Sequence, residues 1–173
     1  MEAMSRLRPV LGGVCTAGNS STENDGAAAV VVTSVSRARE IGAEILAVFR
    51  SCAMVGEDPT RAYKTVPRAV GRALQAAGLP LKDIDLIEIQ EAFAAQVLAD
   101  LAEMEIEPKD YDRINVNGSG ISLGHPIACT GTRVLVTLIH EMKRRKARFG
   151  LETICGGGGL GIAAVLERSK DSE

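Results

Sequence analysis

Asn115 to Gly131 reads NVNGSGISLGHPIACTG: a short β-like run breaks into a glycine-spaced loop and passes a histidine-proline pair to the start of a helix. One of the chain's two histidines, His125, sits here. Pro126 has no backbone N–H and a fixed φ, which suits the first position of a helix. His125 is therefore expected at or just before an N-cap, beside unpaired amides and the positive end of the helix dipole. That field disfavours a proton on the ring. A histidine kept neutral near pH 7 can accept a proton or donate one hydrogen bond, so the placement suits proton transfer better than metal ligation. A loop histidine satisfied by backbone groups fits the same pattern.

Outward from this stretch, strands and helices alternate. Upstream, Ala27 to Val32 reads as a buried strand and Ser34 to Ile41 as a surface helix. Glu44 to Val55 reads as a second strand, ended by the turn signal Gly56-Glu57-Asp58-Pro59. A helix begins at Pro67, with Val70, Ala73, Leu74 and Ala77 on one stripe, and stops at Gly78. Asp85 to Ile89 is a short strand. Phe93 to Met104 is a helix with Phe93, Val97, Leu101 and Met104 aligned, and Ile114 to Val116 is another strand. Downstream come the longest helix, Ile127 to Lys146, and two consecutive strands, Leu151 to Cys155 and Leu160 to Leu166. This order implies a layered α/β sheet, part of it antiparallel. Functional loops in such sheets gather at strand ends, which singles out Gln90 to Phe93, Gly118 to His125 and Cys155 to Gly159.

Composition excludes several roles. The 173 residues suffice for one substantial core, and 46% hydrophobic with 24% charged residues is ordinary for a globular protein. A net charge of −2 and 3% aromatics argue against nucleic acid and against a membrane surface. The N-terminal MEAMSRLRPVLGG lacks the apolar core of a secretory signal, so a cytoplasmic location is expected. The four cysteines form no Cys-x-x-Cys pair, and a reducing compartment argues against disulfides.

Cys155 ends a strand and precedes four glycines, so its sulfur rests on ordered backbone beside amides that can form an anion-binding nest. A thiol next to oxyanion donors can give a proton to a developing carbanion and take one back. The other reading is a buried small hydrophobe next to a tight hairpin. Gly156, Gly158 and Gly161 formally complete a dinucleotide-binding pattern, but that pattern must open a helix and be followed by an acidic residue about twenty positions on. The residues after Gly159 look like strand instead. Gly124 to Arg133 has no lysine where a phosphate-binding loop needs one. His125 and Cys129 lack a third ligand nearby, so no metal is expected. Cys129 is read as packing, and Cys15, Cys52 and His140 receive no role. Lys143, Arg144, Arg145 and Lys146 complement a helix C-terminus.

Together, QEAFAAQ at 90–96, NVNGSGISLGHPIACTG at 115–131 and CGGGGLG at 155–161 resemble the C-terminal half of the thiolases. CTAGNSSTENDGAAAV at 15–30 is similar to the segment that ends the family's N-terminal domain. The resemblance implies an α/β/α layered domain with a mixed sheet over 39–169, preceded by the end of the N-terminal domain at 1–38 and followed by a tail at 170–173. It also implies an acyl-CoA acyltransferase, which cleaves 3-ketoacyl-CoA with coenzyme A or condenses two acyl-CoAs through an acyl-cysteine. Coenzyme A would be a substrate, with no bound cofactor.

By this resemblance His125 is the base that activates the nucleophilic cysteine. Cys155 exchanges a proton with the substrate α-carbon or the coenzyme A thiol, and the Gly157 amide is an oxyanion donor. Ser21, Ala92 and Phe93 contact substrate. Gln90 stands where the family usually has an asparagine that holds an oxyanion-hole water, and the extra methylene can displace that donor. The acylated cysteine belongs to the family's N-terminal half, and Cys15, Cys52 and Cys129 match positions that are not the nucleophile. A thiolase N-terminal half or subunit is thus an expected partner, and an oligomer is expected with its contacts largely in that half. A split subunit, a fragment, and a paralogue kept for acyl-CoA binding or assembly all fit.

Overall fold

A computed structural model describes residues 2–169, so the tail at 170–173 lies outside the described residues. Six helices are described: α1 (Glu2–Ser5), α2 (Val35–Glu40), α3 (Thr65–Ala77), α4 (Ala94–Glu103), α5 (Gly120–Leu123) and α6 (Thr130–Arg145). Four strands form one sheet: β1 (Ala47–Gly56), β2 (Leu86–Ile89), β3 (Phe149–Gly156) and β4 (Leu160–Arg168), in the order β1-β4-β3-β2. β4 is antiparallel to both β1 and β3, while β2 and β3 run parallel. The sheet is therefore mixed, because the hairpin β3–β4 reverses the direction set by the crossover helices.

Layering follows from side-chain alternation. Ile87 and Ile89 on β2, Leu151 on β3 and Val165 on β4 face α3 and α4, meeting Val66, Val70, Leu74, Val97 and Leu101. Leu86 on β2 and Leu166 on β4 point the other way, onto Leu135, Leu138 and Met142 of α6. The result is an α/β/α sandwich with two cores.

Local signals explain the helix boundaries. α3 ends where Gly78 adopts φ 68 and its N–H reaches the carbonyls of Leu74 and Gln75. Pro67 is the third residue of α3 rather than its first, still within the turn whose amides have no helical partner.

Three expectations need correction. Ala27 to Val32 joins no strand of the described residues, and Val31 and Val32 are 92% and 70% exposed. An apolar β-branched run becomes a buried strand only where another strand accepts its ladder. Ile114 makes a single parallel bridge to Ile87, and the run stops because Asn115 turns to φ 46. There the Asn115 side chain replaces the ladder: its Oδ1 accepts from Ile89 N at 2.7 Å and its Nδ2 donates to Ile89 O at 3.0 Å. The third correction concerns His125. α6 begins at Thr130 with Cys129 as its N-cap, a full turn after Pro126. His125 instead makes a parallel bridge with Glu23, donating its amide to Thr22 O at 2.8 Å.

Candidate functional site

The C-terminal ends of the parallel strands β2 and β3 lie side by side, and Gln90 N donates to Thr153 O at 3.0 Å just beyond Ile89. Three loops meet at this end of the sheet. Ser21 N donates to Ala92 O at 2.9 Å, Ala94 N donates to Asn19 O at 2.9 Å, and Ser20 forms an antiparallel bridge with Phe93. The same segment bridges His125 three residues later, through Glu23. Ser21, Ala92 and Phe93 are thus brought together, and Phe93 is 46% exposed beside them, turned out from the α4 stripe that buries Val97 and Leu101.

His125 is partly buried, with Nδ1 2.8 Å from the buried Thr130 hydroxyl. Burial first, and then the Arg133 cation, hold its imidazole below the ordinary histidine proton affinity. The direction is that expected from the sequence, but its physical cause is desolvation and a guanidinium rather than the adjoining helix end.

Cys155 lies one residue before the end of β3, partly buried against the core beneath α3 and α4. Burial first, and then the Asp100 carboxylate, push its thiol up from the usual value. It is therefore a thiol near neutral pH, suited to proton donation more than to nucleophilic attack. The glycines beyond it form the β3–β4 turn, with Gly158 at φ 80 and Gly159 at φ 84. The tight hairpin that the sequence allowed for this stretch is present. Gly157 is exposed, with no atom within 4 Å of where a side chain would start.

Gly159 is different. Its carbonyl is pinned by Glu57, whose amide donates to Gly159 O at 2.8 Å and whose carboxylate is paired with Arg61 and Arg68. A Cβ at Gly159 would run into the Glu57 carbonyl and lie 3.3 Å from Pro59 N, on a backbone that disfavours any side chain. Gly159→Ala is expected to destabilise the chain by about 1–3 kcal/mol in urea unfolding, whereas Gly157→Ala leaves stability nearly unchanged. Equal effects of the two substitutions would refute the difference drawn between them.

Gln90 is 1% exposed. Its Oε1 accepts from Arg133 Nη2 at 3.3 Å, and its Nε2, buried without a partner, packs on Gly120, whose position also lies tight against Glu91 O. The amide is enclosed beneath the loop rather than displayed at an open surface. His125 and Cys155 share one end of the sheet but approach it from opposite layers, His125 ahead of α6 and Cys155 on the α3/α4 side. A groove of about 650 Å³ lies elsewhere, between the 29–34 segment, α2, β1 and α6, and neither residue lines it.

No group of three His, Cys, Asp or Glu among the described residues could hold a metal ion, and no described helix is long and apolar enough to cross a membrane. The family described as "Thiolase, C-terminal domain" matches residues 43–168. The chain belongs to the thiolase family. It is 49% identical over 172 residues to the 3-ketoacyl-CoA thiolase of Citrobacter koseri, covering 97% of this chain and 44% of that protein. It is 46% identical over 168 residues to the 3-ketoacyl-CoA thiolase of Bacillus subtilis, covering 96% and 42%. This thiolase domain is similar in structure to the acetyl-CoA acetyltransferase of Bacillus anthracis, with TM-score 0.92 and 42% identity over 97% of this chain and 42% of that one. It is also similar to human mitochondrial 3-ketoacyl-CoA thiolase in complex with CoA, with TM-score 0.89, 36% identity and the same coverage. The chain thus spans less than half the length of the curated relatives it matches.

Three residues that this thiolase domain places at the site escaped the sequence reading: Thr130, Arg133 and Asp100. Arg133, Thr137 and Glu141 recur every fourth residue beside the buried stripe Val134, Leu138, Met142, and such an inward polar row is the signal that would have exposed Arg133. Asp100 is fully buried on α4 and bonded to Gln96, a charge on a core stripe.

Proposed function

We propose that the chain supplies the proton-transfer half of a thiolase site, acting on acyl-CoA when combined with a thiolase N-terminal half that provides the nucleophilic cysteine. The division proposed is 1–38 as the end of the N-terminal domain and 39–169 as the C-terminal domain. The observation that supports the reading most is that His125, its proton affinity lowered by burial and Arg133, and Cys155, its thiol pushed up by burial, lie at the same end of the sheet.

In thiolytic cleavage, His125 Nε2 takes the proton of the partner cysteine while Nδ1 is held 2.8 Å from the Thr130 hydroxyl, a bond in which Nδ1 donates when it carries the proton. The thiolate adds to the 3-keto carbon, and the Gly157 amide is the donor proposed for the resulting oxyanion. As the C2–C3 bond breaks, its electron pair goes to the α-carbon of the departing acetyl-CoA, which takes the Cys155 proton. Incoming coenzyme A gives its thiol proton back to Cys155, and its thiolate attacks the acyl-cysteine, releasing the shortened acyl-CoA and the cysteine thiolate, which takes its proton back from His125. Claisen condensation is the same sequence in reverse. Ser21, Ala92 and Phe93 would bind substrate, as the backbone bridges among these segments suggest. A cytoplasmic, oligomeric enzyme of fatty acid metabolism is the setting proposed.

Mixing the chain with a separately expressed thiolase N-terminal half and following CoA-dependent loss of acetoacetyl-CoA tests the reading. Turnover in the mixture and in neither part alone is expected. A mixture no faster than the N-terminal half by itself would overturn it. The enclosed Gln90 amide favours a second reading, a non-catalytic acyl-CoA-binding or assembly module. Coenzyme A bound by the mixture without any turnover would decide for that one.

A further inference from the structure

Arg133 projects from the first turn of α6 and donates through one nitrogen, Nη2, to two acceptors from different loops: Gln90 Oε1 at 3.3 Å and Gly124 O at 3.5 Å. A guanidinium can only donate, so it dictates which end of the Gln90 amide faces it. Oε1 is drawn to Arg133, and Nε2 is left on the far side, against Gly120. The second acceptor belongs to the residue before His125. Gly124 is buried at φ 91 and crowded on its other side by Asn24. The histidine is then held at its amide by Thr22 and at Nδ1 by Thr130.

We propose that Arg133 is a positioning residue that locks the Gln90 amide and the Gly124–His125 main chain into a single unit, so that the two loops at the strand ends move together or not at all. Lysine keeps the charge but offers a point donor on a flexible stem, which does not bridge two acceptors in fixed geometry. Among the described residues the charged group that acts on the imidazole is Arg133 from α6, while the Glu91 carboxylate is occupied by Asn115 Nδ2 and Ile121 N. The catalytic consequence rests on the function proposed above; the locking does not.

The test uses amide hydrogen exchange and histidine NMR titration on the full 173-residue chain. Gly124 N and His125 N are both hydrogen-bonded, to Gly120 O and Thr22 O, so their exchange reports opening of the loop. Arg133→Lys and Arg133→Met are each expected to speed exchange at these two amides by about tenfold or more, with core amides of β3 unaffected. Arg133→Met alone should also raise the His125 midpoint, leaving the exposed His140 as an internal reference. Should Arg133→Met fail to fold, Arg133→Lys decides by itself. Exchange at Gly124 and His125 that stays within about twofold of wild type in Arg133→Lys would overturn the proposal. In the mixture with an N-terminal half, Arg133→Lys should lower kcat with KM for acetoacetyl-CoA held. A wild-type mixture without turnover sinks the function and leaves the exchange result standing.

Discussion

His125→Ala, in a mixture with a thiolase N-terminal half, is expected to lower kcat for acetoacetyl-CoA cleavage by roughly 10²–10⁴, the usual contribution of a positioned general base. The ring is partly buried, held at Nδ1 by Thr130 and kept short of protons by its surroundings, so no water of comparable basicity and placement takes over. Cys155→Ala should reduce the rate by a similar factor, because the carbanion then draws its proton from solvent. The two losses should not add, since both residues act on one sequence of proton transfers. Acetoacetyl-CoA consumption that continues undiminished in both variants would remove the acyltransfer reading.

The second large effect concerns stability against pH. Burial raises the Glu88 carboxyl to about 8, with the Arg133 cation opposing, and raises Glu152 and Asp100 each to about 7. Glu88 and Glu152 are register partners on β2 and β3, beneath α6, and each has an oxygen without a partner. The folded chain therefore binds more protons than the unfolded one between the two sets of values. The stability these groups contribute is fully present below their unfolded pKa and is lost as pH rises through 7 and 8. Glu141 works in the opposite sense. Asn117 first, then Arg144 and Arg145, hold it at about 2, so its contribution is present above its unfolded pKa and fades as pH falls toward 2.

Urea unfolding should consequently show the chain more stable at mildly acidic pH than at pH about 8, with Glu88 alone worth on the order of 3–5 kcal/mol across the window. Glu88→Gln removes that titration and should flatten the slope substantially. An unchanged slope in Glu88→Gln would show that the buried carboxyls are not the source.

Much of the fold was legible because periodicity follows packing. The stripe Val70, Ala73, Leu74 of α3 is buried as its spacing required, and the consecutive strands β3 and β4 pair antiparallel. The errors arose where a segment's state depends on something far away in sequence. Ala27 to Val32 has the composition of a strand, but composition does not supply the neighbouring ladder. Ile114 to Val116 looked continuous because nothing local shows that the Asn115 side chain will take over the bonding of β2's edge. At the site, His125 and Cys155 were legible as candidates. Their arrival from opposite layers was not, since it depends on which face of the sheet each crossover covers. Arg133 was hidden for a related reason: its partners, Gln90 and Gly124, lie 43 and 9 positions away.

The short run from Ser20 to Glu23 touches the Phe93 turn at one end and the His125 turn at the other through main-chain groups alone. It behaves as a ruler cut from peptide units: three residues reach at most about 10–11 Å, whatever their side chains. The gap between those turns is consequently indifferent to substitution in that run and sensitive to its length. Adding or removing one residue there changes the distance between the two turns, in the way that changing a spacer resets the jaws of a gauge.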